Sequence, residues 1–416
     1  MRIAIIGSGV SGLVCAHLLR QRHDVLLYEA DIRPGGHSHT HRVELADATV
    51  DVDTGFLVYN ERTYPLFCRL LDQLGVATEP SDMSFGVADA RTGLEWRATS
   101  PTTVFAQRRN VARLAFWRML VDIGRFNRLA RGLLEDPPPD SVTLEEVMAP
   151  YRWSRGFRDW YLIPLGSSIW SAAPTTFTGI PAATFARFFE RHGLLRLRDQ
   201  PPWRTITGGS QTYVQAILRP LQAEGRVRLG NPIDKIRRLP GGVELVGAGG
   251  VELFDHAVVA THSDQALRLL SDPDRVERGV LGAIRYQPNR ATLHTDTRLL
   301  PRRRRAWASW NYHRLRPDAD QATLTYYLNQ LQGLPSTTPV LVTLNQDEAI
   351  DPEQVLARMD YAHPILDSLA VRAQRRQGEI HGVRRTWFCG AYWGYGFHED
   401  GVRAAVETCR ALGATL

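Results

Sequence analysis

The sequence predicts an α/β fold, in which a Rossmann-like domain is assembled from separated parts of the chain and an α+β remainder is inserted between them. Three observations carry this expectation. An apolar run at residues 2–6 enters Gly7-x-Gly9-x-x-Gly12; a second run at 24–28 ends on Glu29; and near the other end Phe388-Cys389-Gly390 leads through Tyr392-Trp393-Gly394-Tyr395-Gly396-Phe397 to His398-Glu399-Asp400-Gly401.

Residues 2–6 are short, apolar and β-branched, as in a strand buried on both faces of a parallel sheet. The glycines sit where that strand passes into a helix at 13–22. Gly7 permits the tight turn, Gly9 lets a phosphate approach the backbone, and Gly12 lets helix and strand pack closely. Free N–H groups at the helix start then face an anion. Glu29 ends the second strand about twenty residues beyond the central glycine, where a carboxylate accepts hydrogen bonds from an adenosine ribose and disfavours a 2′-phosphate. FAD or NAD therefore fits better than NADP. Gly241-Gly242 and 247–250 read as turns between strands, so no second nucleotide unit is expected and electrons are expected to enter from the substrate.

A chain of 416 residues with 44% hydrophobic and 23% charged content is long enough for two layered domains and is not disordered in character. The four cysteines, at 15, 68, 389 and 409, form no C-x-x-C pair, and Cys15 and Cys389 fall in elements expected to be buried; small core residues in a reducing cytoplasm is the expectation. The N-terminal apolar stretch is a strand followed at once by Gly-Ser-Gly rather than a secretory signal, and no apolar run is long enough to span a bilayer. The formal charge of +6 is almost wholly arginine, with Lys235 the sole lysine. Such compositional bias weakens any argument for nucleic acid, and none is expected as a partner. The charge is concentrated at 302–305 and at 108–131, where arginines mix with Leu114, Phe116, Trp117, Met119, Leu120 and Phe126.

Arg33-Pro34-Gly35-Gly36-His37, Asp51-Val52-Asp53-Thr54-Gly55-Phe56 and the 388–401 segment resemble the flavin amine oxidase and phytoene desaturase superfamily. Residues 227–236 look like its strand along the adenine, and 254–261 like its strand ending near the first glycine loop. Within it, residues 55–65, Ser168-Ile169-Trp170-Ser171, 203–210, Leu293-His294-Thr295-Asp296, Trp310-Asn311-Tyr312 and 394–401 resemble a bacterial branch that includes the FAD-dependent fatty acyl desaturase of furan fatty acid synthesis. The resemblance implies FAD, held by Gly7, Gly9, Ser11, Gly12, Glu29, Gly35, Gly36, His37, Gly55, Gly390, Asp400 and Val402. It also implies His37, His398 or Glu399 for proton handling, and O2 or a membrane quinone as electron acceptor.

The FAD domain is then expected at 1–58, 203–270 and 384–416. The substrate domain takes 59–202, mainly helical with Pro137-Pro138-Pro139 as a linker, and 271–383, an antiparallel sheet with helix in which 323–328 and 340–344 read as strands. An apolar C–H substrate needs a dry channel more than polar groups, because the cofactor supplies the acceptor. Trp160, Tyr161, Ile169, Trp170, Phe185, Phe188, Phe189, Trp307, Trp310, Tyr326 and Tyr327 are candidate walls, against core packing as the plainer reading of each. Relatives that oxidise amines typically place a lysine near flavin N5, and Lys235 lies on the adenine side. Desaturation of a fatty acyl or phospholipid substrate is favoured over amine or amino-acid oxidation, for which buried Arg and Tyr would be the sign; a non-catalytic flavoprotein partner of a lipid-modifying enzyme is the third reading. His37, His39 and His41 would share one face of an extended segment, but no metal is expected, because no carboxylate or cysteine cluster supports them. Residues 108–131 read either as an amphipathic helix on an anionic membrane or as one packed on the core, so a cytoplasmic, peripherally membrane-associated protein is expected.

Overall fold

The computed structural model describes residues 1–196, 201–314 and 323–416. At its centre is a five-stranded parallel sheet in the order Val227–Arg228, Asp24–Tyr28, Arg2–Ile6, His256–Val259, Thr386–Phe388. Arg2–Ile6 occupies the middle, with Ile5 in register with Leu27 on one side and Val258 on the other. This explains its continuous apolar pattern, since both faces of that strand are covered. Helix Val10–Leu19 is buried nearly all round because His398–Ala411 and Gln211–Ala223 pack against it. Cys15 and Cys389 are fully buried in this core with their sulfurs 3.9 Å apart. The glycine pairs after Lys235 do lie in turns, joining Ile233–Leu239, Gly242–Gly247 and Gly250–Phe254 into an antiparallel meander.

A second sheet has seven strands, ordered Val355–Pro364, Tyr286–His294, Leu341–Leu344, Leu324–Tyr327, Trp310–Arg314, Phe85–Asp89, Leu94–Arg97. It is antiparallel except between Trp310–Arg314 and Phe85–Asp89. Phe85–Asp89 and Leu94–Arg97 come from the stretch expected to be mainly helical. Helices Leu114–Glu135, Ile163–Trp170 and Ala182–Arg191 share one hydrophobic cluster with Val87, Trp96 and Tyr312 of this sheet. The hairpin Thr40–Glu44/Thr49–Asp53 shares another with Leu293, Val342 and Met359.

The cores divide at other points than the expected boundaries at 58, 270 and 383. Helices Pro65–Leu74, Arg275–Leu281 and Ser368–Gln374 bury Phe67, Leu70, Val280 and Ala370 in the core of the parallel sheet. Residues 197–200, at the end of the first expected substrate segment, lie outside the described residues. Among the described residues no helix is long and apolar enough to cross a membrane.

Candidate active site

A continuous cavity of about 730 Å³ runs from the first glycine loop to the helices over the seven-stranded sheet. At one end it is lined by Gly7, Ser8, Gly9 and Ser11 together with Glu29, Asn231 and His262. Gly7 has φ +102°, and a Cβ there would stand 2.7 Å from the Ala260 carbonyl oxygen; a Cβ on Gly12 would stand 1.8 Å from that of Gly7. Nothing lies within 4 Å of where a Gly9 Cβ would be, because that face opens on the cavity. Gly9 caps Val10–Leu19 with no side-chain hydrogen bond, which leaves the first N–H groups of the helix free for an anion. Glu29 Oε2 accepts from Ser8 N (2.8 Å) and Ser8 Oγ (2.6 Å), and Oε1 from Asp31 N (3.0 Å). The carboxylate thus braces the glycine loop while lining the cavity.

Further along, His37 stacks on Tyr361 with ring centroids 4.8 Å apart and stands edge-on to His363 at 5.2 Å; His262 lies at 6.4 Å and itself stacks on Tyr286 at 4.3 Å. Burial first, and then the neighbouring imidazoles, hold His37 well below the usual histidine range, and burial takes His363 down to about 4. These rings are neutral at physiological pH. The lining residues His37, Tyr392, Trp170 and Trp310 carry sealed polar atoms (Nε2, Oη, Nε1, Nε1) with no partner in the chain. A helix start open to phosphate, a bare backbone at Gly9 and unpaired polar atoms along the wall fit a long dinucleotide cofactor such as FAD.

The sequence model described as "Flavin containing amine oxidoreductase" matches residues 10–359. The chain belongs to that family. Its members are flavin-containing oxidoreductases, and FAD is the cofactor that the nucleotide end of the cavity fits. A relative from Mycobacterium tuberculosis, "Putative flavin-containing monoamine oxidase AofH", is 28% identical over 287 residues, covering 65% of this chain and 59% of its own length. The chain thus spans less than two thirds of that relative. Among solved structures, a fatty acid isomerase from P. acnes that produces CLA superposes with a TM-score of 0.69 at 16% identity, covering 98% of both chains. Cyclohexylamine oxidase from Brevibacterium oxydans superposes with 0.68 at 18% identity, covering 99% and 98%. At such identities these likenesses establish the fold.

The site residues read from the sequence divide into two groups. Gly7, Gly9, Ser11, Glu29, Gly36, His37, Gly55, Gly390 and His398 line the cavity where FAD would be held. Gly12, Gly35, Asp400, Val402 and Glu399 stand behind it. Asp400 Oδ2 accepts from Tyr395 N (2.9 Å) and Phe397 N (3.1 Å), and Oδ1 from Arg403 (2.8 Å). It shapes the loop at 395–397 rather than facing the cavity, and Val402 is sealed in the helix core. Glu399 accepts from Leu66 N (3.1 Å) and Phe67 N (3.0 Å), two of the unpaired N–H groups that start Pro65–Leu74. Burial pushes its carboxyl up to about 7. Of the three residues expected to handle protons, Glu399 is turned away as a helix cap. His398 Nε2 is shared between Ser38 Oγ (3.0 Å) and Tyr213 (3.3 Å) with its ring flat on Phe56, which leaves His37 with a free sealed nitrogen on the cavity wall.

His37, His39 and His41 do not share a face. His37 lies in a turn, whereas the rings of His39 and His41 meet at a tilt with centroids 4.0 Å apart. Among the described residues no group of three or more His, Cys, Asp or Glu is placed to hold a metal ion.

The walls of the other half are Tyr161, Leu165, Ile169, Trp170, Phe188, Trp310 and Tyr326, with Phe85 from the strand that sequence reasoning missed and Met83 from the segment leading into it. Phe185 and Phe189 are plain core, Trp160 donates to Asp89 (2.9 Å), and Trp307 and Tyr327 pack edge-to-face on each other. The only charged side chains on the cavity wall among the described residues are Glu29 and Arg268. Lys235 is exposed on the meander. His262, Tyr286 and His363 were missed as site residues. Their signals were slight: a strand end beside the glycine loop for His262, and strand alternation with Tyr361 for His363.

Proposed function

We propose that the protein desaturates a fatty acyl chain of a membrane lipid, converting a methyl-branched monounsaturated chain to a conjugated diene. The observation that carries this reading is the lack of charged side chains among the described residues that line the aromatic half of the cavity. An amino-acid carboxylate would find no arginine there, and a substrate ammonium no carboxylate, whereas an acyl chain needs only desolvation and positioning. Bound FAD supplies the two-electron acceptor, to be reoxidised by O2 or a membrane quinone. In the substrate, an allylic C–H bond is lost as hydride, a second C–H bond gives up its proton, and the electron pair left behind becomes the new double bond. The alkyl-substituted allylic carbon best tolerates the positive character that develops. The neutral ring of His37 lines the cavity and is the group suited to receive the proton, through an Nε2 that has no partner in the chain and is reached once the ring turns toward the substrate.

Amine oxidation is the second reading. The family, the mycobacterial relative and the edge-to-face pair of Trp310 and Tyr326, with centroids at 5.0 Å, favour it, since aromatic faces accommodate an amine. Against it stands the absence of lysine from the cavity. Deleting the gene should cause the monounsaturated precursor to accumulate in lipid extracts and the diene to vanish; an unchanged lipid profile would refute desaturation.

A further inference from the structure

The long helix Leu114–Glu135 carries apolar residues on two faces, of which only one meets the core. Phe116, Met119, Ile123, Phe126 and Ala130 are buried and supply the packing against the core. A second apolar row faces solvent: Leu114 is 85% exposed, Trp117 45% and Val121 61%, at a spacing that keeps them on one side of the helix. Val111, 55% exposed, joins them from the preceding turn Arg108–Ala112, whose end is tied down by Trp117 Nε1 donating to the Val111 carbonyl (2.8 Å). Four of the thirteen large hydrophobic residues exposed among the described residues thus fall within eleven positions. A surface helix that has already satisfied its core needs no such row, and a contiguous apolar patch of this kind marks a contact surface.

Charge identifies the partner. Residues 101–121 contain Arg108, Arg109, Arg113 and Arg118 and no acidic residue. Arg108, Arg109 and Arg118 are exposed beside the apolar row, and no ion pair to a carboxylate forms at any of the four among the described residues. By contrast, the arginines elsewhere that hold the fold, such as Arg238 and Arg384, are paired with Glu277, Asp272 and Asp274. Apolar side chains with an indole among them, rimmed by guanidinium groups that have no carboxylate partner among the described residues, match the acyl boundary and phosphate level of an anionic bilayer.

We propose that the Val111, Leu114, Trp117, Val121 face is a docking surface for anionic phospholipid bilayers, with Arg108, Arg109 and Arg118 seated among the phosphates. Tyr161, on the Arg158–Leu162 turn that packs against the same helix, lines the cavity, so docking would bring the aromatic half of the site close to the lipid. The docking holds whichever substrate the cavity takes.

The test is flotation of the FAD-loaded protein with vesicles of phosphatidylcholine containing phosphatidylglycerol, and with vesicles of phosphatidylcholine alone. The protein should float with the mixed vesicles, several-fold less with the neutral ones, and several-fold less again at high salt. Leu114→Asn alone, at a site too exposed to affect folding, should weaken flotation several-fold, and L114E/W117S/V121E should abolish it. R108E/R109E/R118E should erase the preference for anionic vesicles, with flavin content and melting temperature unchanged. The proposal is overturned if the wild type stays with the unbound fraction on anionic vesicles at low salt, or if the variants float as the wild type does. Light scattering that shows a dimer broken by Leu114→Asn would overturn it in favour of a second copy of the chain.

Discussion

Glu29 shows how one carboxylate serves two purposes. It sits at the end of its strand as the spacing from Gly9 requires, yet its strongest contacts are with Ser8, so its charge orders the loop before any nucleotide arrives. Glu29→Gln keeps one acceptor oxygen and should weaken FAD binding by about 1 kcal/mol, while Glu29→Arg removes the acceptors, adds a clashing side chain and should cost about 3 kcal/mol or more. Fluorescence titration of the apoprotein with FAD measures both. Glu399 makes a different statement. Its folded pKa of about 7 lies above its ordinary value of 4.5, so the folded protein keeps this proton where the unfolded chain has lost it. The stability this confers is full below about pH 4.5 and is lost as the pH rises through about 7. In Glu399→Gln that part of the slope disappears: urea midpoints at about pH 5 and about pH 8 should differ less than in the wild type. A slope unchanged by the substitution would show that the cap stays ionised throughout.

Elements that look alone in the sequence are held by partners far along the chain. The start of Pro65–Leu74 has no cap of its own, and Glu399, 333 positions from Leu66, supplies it. No local pattern could reveal this, so the sequence marked Glu399 as chemistry when its work is structural. The loop before His398–Ala411 is similar. Its glycines and aromatics made the segment recognisable, but the hydrogen bonds that fold Tyr395 to Phe397 back onto Asp400 are visible only in three dimensions. Asp400→Ala strands two N–H groups and the Arg403 guanidinium, and should lower the unfolding free energy by about 3 kcal/mol, Asp400→Asn by about half as much. Denaturant melts of the FAD-free protein check this, because they separate loop support from cofactor contact. The missed strand Phe85–Asp89 has the same origin: it is short, and its neighbour in the sheet, Trp310–Arg314, lies over two hundred residues away.

For the whole molecule, the sequence was most informative where a backbone constraint must be met locally. The parallel sheet was legible because strands buried on both faces must be continuously apolar and the first turn must be glycine. Domain limits were not, because an amphipathic helix such as Ser368–Gln374 records that one face is covered without recording by which core. The cavity was half legible. Its nucleotide end follows from the glycines, while Trp170 and Phe185 are alike in sequence and only the first reaches the wall. The uncharged aromatic half now stands as the feature from which the substrate is inferred, and it makes a direct demand on the reaction. Oxidised protein should be mixed anaerobically with a methyl-branched monounsaturated phospholipid and, separately, with primary and secondary amines, while the flavin absorbance is followed. Bleaching by the lipid with the amines inert is the predicted result. Bleaching by an amine with the lipid inert would contradict it, and no bleaching by either would point to a flavoprotein that serves another enzyme.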